Sequence, residues 1–168
     1  MFIVDKVTGR VVFDTPVERA RQKAEETLLS KGYSKEEIKV DYTFKVELPE
    51  GFASAIVDLL VQIDGRNAIV VMCAPPTALV PYERLSLACA RVLNATYAVA
   101  LNLDEAIVMK AKDGSLVCRD LNCIPNREDF VFEDYEVRDV EKEKRIMVAY
   151  LNVLHCVGCR IESGVEQG

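Results

Sequence analysis

The chain has 168 residues, half of them hydrophobic and 29% charged, with a net charge of −6. That length favours one domain with a single core, and the composition excludes a disordered chain. The acidic balance argues against strong sequence-independent binding to nucleic acid, which needs clustered Lys and Arg, while leaving room for a local basic groove.

In chain order, residues Phe2 to Phe13 alternate around Val7-Thr8-Gly9 and predict an N-terminal β-hairpin. Thr15-Pro16-Val17-Glu18 then opens a helix: Thr15 can cap, Pro16 fits the first position, and Glu18 stands where a capping box needs an acid. Val17, Ala20, Ala24 and Leu28 form its apolar stripe, and Gly32 ends it. A second capping box, Ser34-Lys35-Glu36-Glu37, precedes a strand from Lys39 to Leu48. Strict alternation in that strand places Val40, Tyr42, Phe44, Val46 and Leu48 on one face, with Lys39, Asp41, Lys45 and Glu47 on the other.

Two apolar strands follow, Ala55 to Ile63 and Ala68 to Cys73, joined by the turn Asp64-Gly65-Arg66-Asn67. Asp-Gly between β-branched runs is a hairpin signal, because the turn requires positive φ. Asp58 lies inside the first of these strands, where a carboxylate must be paired, bind a metal or reach solvent. Pro75-Pro76 stops the second strand, and a helix with Pro81 in its first turn runs to about Asn94. Tyr97 to Leu101, Ala106 to Met109 and Ser115 to Cys118 read as short strands, the last two joined by Asp113-Gly114. The acidic stretch from Asn126 to Glu143 reads as a loop wrapping the core, and Val140 to Cys156 as a C-terminal helix. The expected organisation is a hairpin over 1–14, a core over 15–124, and an acidic loop and helix over 125–168 packed on the same domain.

No apolar run reaches the ~18 residues of a membrane span, and Met1 to Asp5 does not look like a signal peptide, so the expectation is a cytoplasmic protein. Six cysteines in such a chain point to thiols or a metal rather than disulfides. Cys118, Cys123, Cys156 and Cys159, with His155 adjacent, offer the ligand types of a Zn²⁺ site; the competing expectation is cysteines packed as small apolar residues.

From Thr15 to Val117 the chain resembles the N-terminal nuclease domain of type I restriction enzyme R subunits, in the PD-(D/E)xK or restriction-endonuclease-like superfamily. The resemblance is carried by Thr15-Pro16-Val17-Glu18-Arg19-Ala20-Arg21-Gln22-Lys23, by Gly32-Tyr33 and its following strand, by Ile56-Val57-Asp58-Leu59-Leu60-Val61, by Val71-Met72-Cys73-Ala74-Pro75-Pro76, and by Leu93-Asn94-Ala95-Thr96-Tyr97 before Leu101-Asn102. It implies an α/β (α+β) fold, a mixed sheet flanked by helices, and a site where an Asp on one strand and a Glu and Lys on the next use Mg²⁺ to hydrolyse phosphodiesters.

Asp58 matches the Asp, and Glu18 an outlying acid, but Met72 stands in place of the Glu and Ala74 in place of the Lys. A Gln and a Tyr common on the family's next helix are replaced by Leu85 and Cys89. A thioether does not hold Mg²⁺, and Ala carries no ammonium. The resemblance therefore implies a degenerate, catalytically inactive relative with a nucleic-acid-associated or protein-interaction role, and no cofactor. Two alternatives stay open: a Mg²⁺-dependent DNA endonuclease built from Asp58, Glu18 and a migrated Glu83 or Arg84, and a structural domain that forms a homodimer. Arg19, Arg21, Lys23, Lys31 and Lys35 either line a groove for DNA or form a solvated face; the interleaved acids favour the face.

Overall fold

The computed structural model describes residues 1–154. Among the described residues eight strands form a two-stranded ribbon and a six-stranded mixed sheet, accompanied by three α-helices. The ribbon pairs β1 (Phe2–Val4) with β2 (Val11–Phe13), and α1 (Pro16–Ser30) follows. The sheet runs in chain order as β3 (Ile38–Leu48), β4 (Gly51–Ile63), β5 (Arg66–Cys73), β6 (Tyr97–Leu101), β7 (Ala106–Lys110) and β8 (Leu116–Cys118). Helix α2 (Leu79–Val92) makes the crossover that sets β6 parallel to β5, and every other pairing is antiparallel. The chain ends its described part in α3 (Val140–Leu154). Among the described residues no helix is long and apolar enough to cross a membrane.

Local chemistry accounts for most of these boundaries. Pro16 starts α1 at no hydrogen-bond cost, and Gly32, at φ 96°, stops it in a conformation that a side chain would strain. Asp64 and Gly65, at φ 52° and 76°, make the expected tight turn between β4 and β5. The Ser34–Glu37 capping box closes in both directions, the Ser34 N–H on the Glu37 carboxylate at 3.0 Å and the Glu37 N–H on the Ser34 hydroxyl at 3.2 Å, although it caps only a single turn.

Both faces of the sheet are covered. On one side α2 and α3 bury Leu60, Val70, Met72, Ala98, Ala100 and Ile107; on the other α1 and the segment after β8 bury Leu59, Val61, Ile69, Val71, Val99 and Val108. This explains why β5, β6 and β7 carry apolar runs instead of an alternating pattern. From the acidic stretch, Phe130 and Phe132 pack on the α1 layer and Tyr135 on the α2 layer.

Strand β3 departs from the expected single alternation. Ile38 and Val40 pack in the α1 layer, whereas Tyr42, Phe44, Val46 and Leu48 pack in the α2 layer. The strand turns over at Asp41, whose φ is 52°, and β4 turns with it: Leu59 and Val61 join the α1 layer, Ala55 and Val57 the α2 layer. Pairing continues on both sides of the turnover, Val40 with Leu59 and Tyr42 with Val57. The position opposite Asp41 in this register is Asp58.

Candidate functional site

Asp58 is therefore held where the β3–β4 ribbon inverts, at 1% exposure. Its Oδ2 accepts a 2.7 Å hydrogen bond from the backbone N–H of Cys73, and its Oδ1 lies 3.3 Å from Nη2 of Arg21. The same guanidinium donates through Nη1 to Asp41 Oδ1 at 2.7 Å, and its buried Nε, which makes no hydrogen bond, is 3.6 Å from Glu18 Oε2. One cation thus serves three carboxylates on three elements. Burial pulls the Arg21 pKa down, but Asp58, Asp41 and Glu18 outweigh it and hold the group charged. Around this centre, burial pushes the Cys73 thiol well up, with Asp58 adding to it, and burial next to Asp58 pushes the Tyr82 hydroxyl up to about 12. None of these groups is poised as a base or nucleophile near neutral pH.

Glu18 is only half of the capping box that its spacing suggests. The Thr15 hydroxyl accepts from the Glu18 N–H at 3.1 Å, yet the Glu18 carboxylate points away, to Arg21 and to Gln22 Nε2 at 3.2 Å. Burial pushes its pKa up, and Arg21 offsets part of that.

At the positions where the resemblance places a second ligand and a lysine, Met72 and Ala74 are 0% and 1% exposed in the apolar layer beneath α2. The residues present do not fit Mg²⁺ at Asp58. A divalent cation there would face the Arg21 guanidinium at short range and a thioether in place of a hard oxygen ligand, with a methyl group where the lysine should stand.

No family model, curated protein or solved structure matches this chain.

A second acidic group lies on the other side of Glu18. Carboxylate oxygens of Asp5, Glu18 and Glu25 come within 4.8 Å of one another. Gln22 Nε2 reaches all three, at 3.1 Å from Asp5, 3.2 Å from Glu18 and 3.1 Å from Glu25, while its Oε1 accepts from the Lys6 N–H at 2.9 Å. Burial, and then a hydrogen bond to Asp5, push Glu25 up to about 8, so at neutral pH it carries a proton that it donates to Asp5. Burial alone would raise Asp5, but the Thr8 N–H, Glu25 and Gln22 bring it below its ordinary value. An amide and a shared proton already supply the donors these oxygens need. The cluster fastens the N-terminal ribbon to α1, with the Val7 N–H bonded to both Asp5 and Glu25 at 3.0 Å.

The remaining candidates are corrected or fall elsewhere. Cys118 and Cys123 are joined as a disulfide, their Cα atoms 6.1 Å apart across a short 3-10 turn at Leu121–Cys123, so neither is a free thiol or a zinc ligand. Cys156, Cys159 and His155 lie outside the described residues. Glu83 and Arg84 are engaged elsewhere: Glu83 faces Arg119 at 3.7 Å, and Arg84 forks onto Glu143 at 2.8 and 2.9 Å. Of the five basic residues, Arg19 forks onto Asp14 at 2.6 and 2.7 Å, Arg21 turns inward to Asp41 and Asp58, and Lys31 Nζ donates to the Asn122 carbonyl at 3.0 Å, while Lys23 and Lys35 are exposed.

Sequence reasoning placed Arg21 on a solvated face or a DNA groove and Asp41 on the polar face of its strand, and it did not single out Asp5, Gln22 or Glu25. For Arg21 a signal existed. It lies four residues after Val17 and three before Ala24, within the apolar stripe, and a cation on a core-facing stripe needs a buried acid.

Proposed function

We propose that this chain is a catalytically silent relative of the restriction-endonuclease-like nucleases that serves as a protein-interaction module. The observation that carries this reading is Arg21: a side-chain cation, bound to Asp58, Asp41 and Glu18, occupies the electrostatic role that a metal has in the active enzymes. Met72 and Ala74 reinforce it, since both are packed as core. The succession α1, β3, β4, β5, α2, β6 is the order of elements that the resemblance implies.

An interaction role is favoured over nucleic-acid binding because both arginines of α1, Arg19 and Arg21, are ion-paired within the fold and the chain is acidic. The N-terminal ribbon also leaves Phe2, Val4, Val11 and Phe13 exposed, with the two phenylalanine rings stacked at 5.0 Å.

Incubating the purified chain with supercoiled plasmid and with single-stranded DNA, in Mg²⁺ and then Mn²⁺, tests the reading. The expected result is no cleavage, and no metal-induced rise in melting temperature of the kind a ligand of the folded state produces. Metal-dependent cleavage by the wild-type chain that is lost in a folded Asp58→Asn variant would establish the endonuclease alternative instead.

A further inference from the structure

Away from Asp58, the junction of α2, the β7–β8 turn and the start of α3 encloses a cleft of about 320 Å³. Five cationic side chains line it: Arg84 and Arg91 of α2, Lys112 of the turn, Arg138 on the approach to α3, and Lys142 in the first turn of α3. In an acidic chain such a gathering, drawn from residues nearly sixty positions apart, runs against the overall charge.

Three acids share the lining, and two of them have structural duties. Glu143, almost fully buried, accepts the fork of Arg84 at 2.8 and 2.9 Å and Nη1 of Arg91 at 3.0 Å. Burial alone would raise its pKa, but the two guanidiniums bring it below the ordinary value, so it stays ionised and fixes both arginines. Asp139 caps α3 through the Lys142 N–H at 3.1 Å. Only Glu136 remains as an uncommitted acid at the rim. The cations are used less completely. Arg91 Nε donates to the Ala111 carbonyl at 2.8 Å, but its Nη2 has no hydrogen-bond acceptor among the described residues. There, too, the side chains of Arg138 and Lys142 are exposed and make neither a hydrogen bond nor an ion pair.

We infer that this cleft is a binding site for a small molecule carrying a phosphate monoester. Its floor is a pair of arginines held in place by a buried carboxylate, and planar guanidiniums so fixed present donors at little entropic cost to a tetrahedral dianion. Its rim supplies the exposed, unpartnered cations Arg138 and Lys142, which steer an anion towards the floor. The enclosed volume is at the lower end of small-molecule sites and suits a compact organic phosphate rather than a polymer.

The test uses the full chain, titrated at constant ionic strength with inorganic phosphate and with glycerol phosphate, and followed by calorimetry. Saturable one-to-one binding is expected, with the monoester tighter than inorganic phosphate and a dissociation constant of about 1 mM or below. The double variant Arg138→Glu, Lys142→Glu should weaken binding at least tenfold. Its melting temperature without ligand should stay unchanged, because both side chains are exposed; Lys45→Glu, on β3 outside the cleft, should bind like wild type. Absence of saturation by either probe overturns the inference, as does equal affinity in the double variant. Binding of inorganic phosphate with the monoester excluded overturns the assignment of the ligand.

Discussion

Arg21 reaches its three carboxylates from one turn of α1, and the energetic weight of that arrangement rests on Asp58. An exposed ion pair contributes little, but an aspartate at 1% exposure that loses its guanidinium retains a charge in an apolar layer. Arg21→Met should therefore destabilise the fold by about 3–5 kcal/mol in urea unfolding. Adding Asp58→Asn should restore more than half of that, since the amide oxygen still accepts from the Cys73 N–H; no recovery would show that the guanidinium acts through packing alone. Glu25 gives a pH signature. Its folded pKa of about 8 lies above its ordinary 4.5, so the folded state holds a proton that the unfolded chain has released. Its stabilising effect is complete below about pH 4.5 and is lost as pH rises towards 8. Asp5, Asp14, Glu37 and Glu143, all shifted down, oppose this in acid by favouring folding once ionised. Maximum stability should fall on the acid side of neutrality, and Glu25→Gln should flatten the decline between pH 5 and 8; an unchanged slope would assign the decline to another group.

Among the elements, the β3–β4 ribbon shows how far sequence pattern can carry a reading. The element types and the Asp64-Gly65 turn were legible, because each depends on a local preference: Pro16 at a helix start, Gly32 at a helix end, β-branched runs on either side of a turn. The turnover at Asp41 was not. Alternation along β3 is unbroken in the sequence, and the inversion comes from one residue adopting φ 52°, a state that aspartate tolerates without requiring it. The same limit applies to the site. Asp58 stood out because it is charged among apolar neighbours, whereas its partners come from α1 and β3, brought together only by tertiary packing. Because Asp41 combines a left-handed backbone with a 2.7 Å bond to Arg21, its substitutions should separate. Asp41→Asn keeps the backbone tolerance, and Asp41→Val, branched at Cβ, should be less stable than Asp41→Asn by about 1–3 kcal/mol in thermal melts. Equal stability of the two would mean that the turnover is imposed by packing and carries no local strain.

For the molecule as a whole, two apolar layers sit on opposite faces of one sheet, and the candidate site lies at the seam between them. The sequence announced both layers through the apolar runs of β5 to β7 but carried no sign that α1, read as a partly solvated helix, closes one of them with buried Gln22 and Glu25. The disulfide was equally hidden, since two cysteines five residues apart are compatible with a metal site, free thiols or a covalent link. The ribbon inversion has a mechanical meaning at this scale. In an ordinary sheet each strand face belongs to one layer, so one layer can loosen while the other persists. Here β3 begins in the α1 layer and finishes in the α2 layer, and one run of alternate β4 residues crosses the other way, from Ala55 and Val57 to Leu59 and Val61, so that the pair is woven through both like a thread through two sheets of cloth. Neither layer can come apart without pulling on its neighbour, and the chain should unfold as one cooperative unit. A fluorophore beside Tyr33 in the α1 layer and one beside Tyr82 in the α2 layer should report the same urea midpoint.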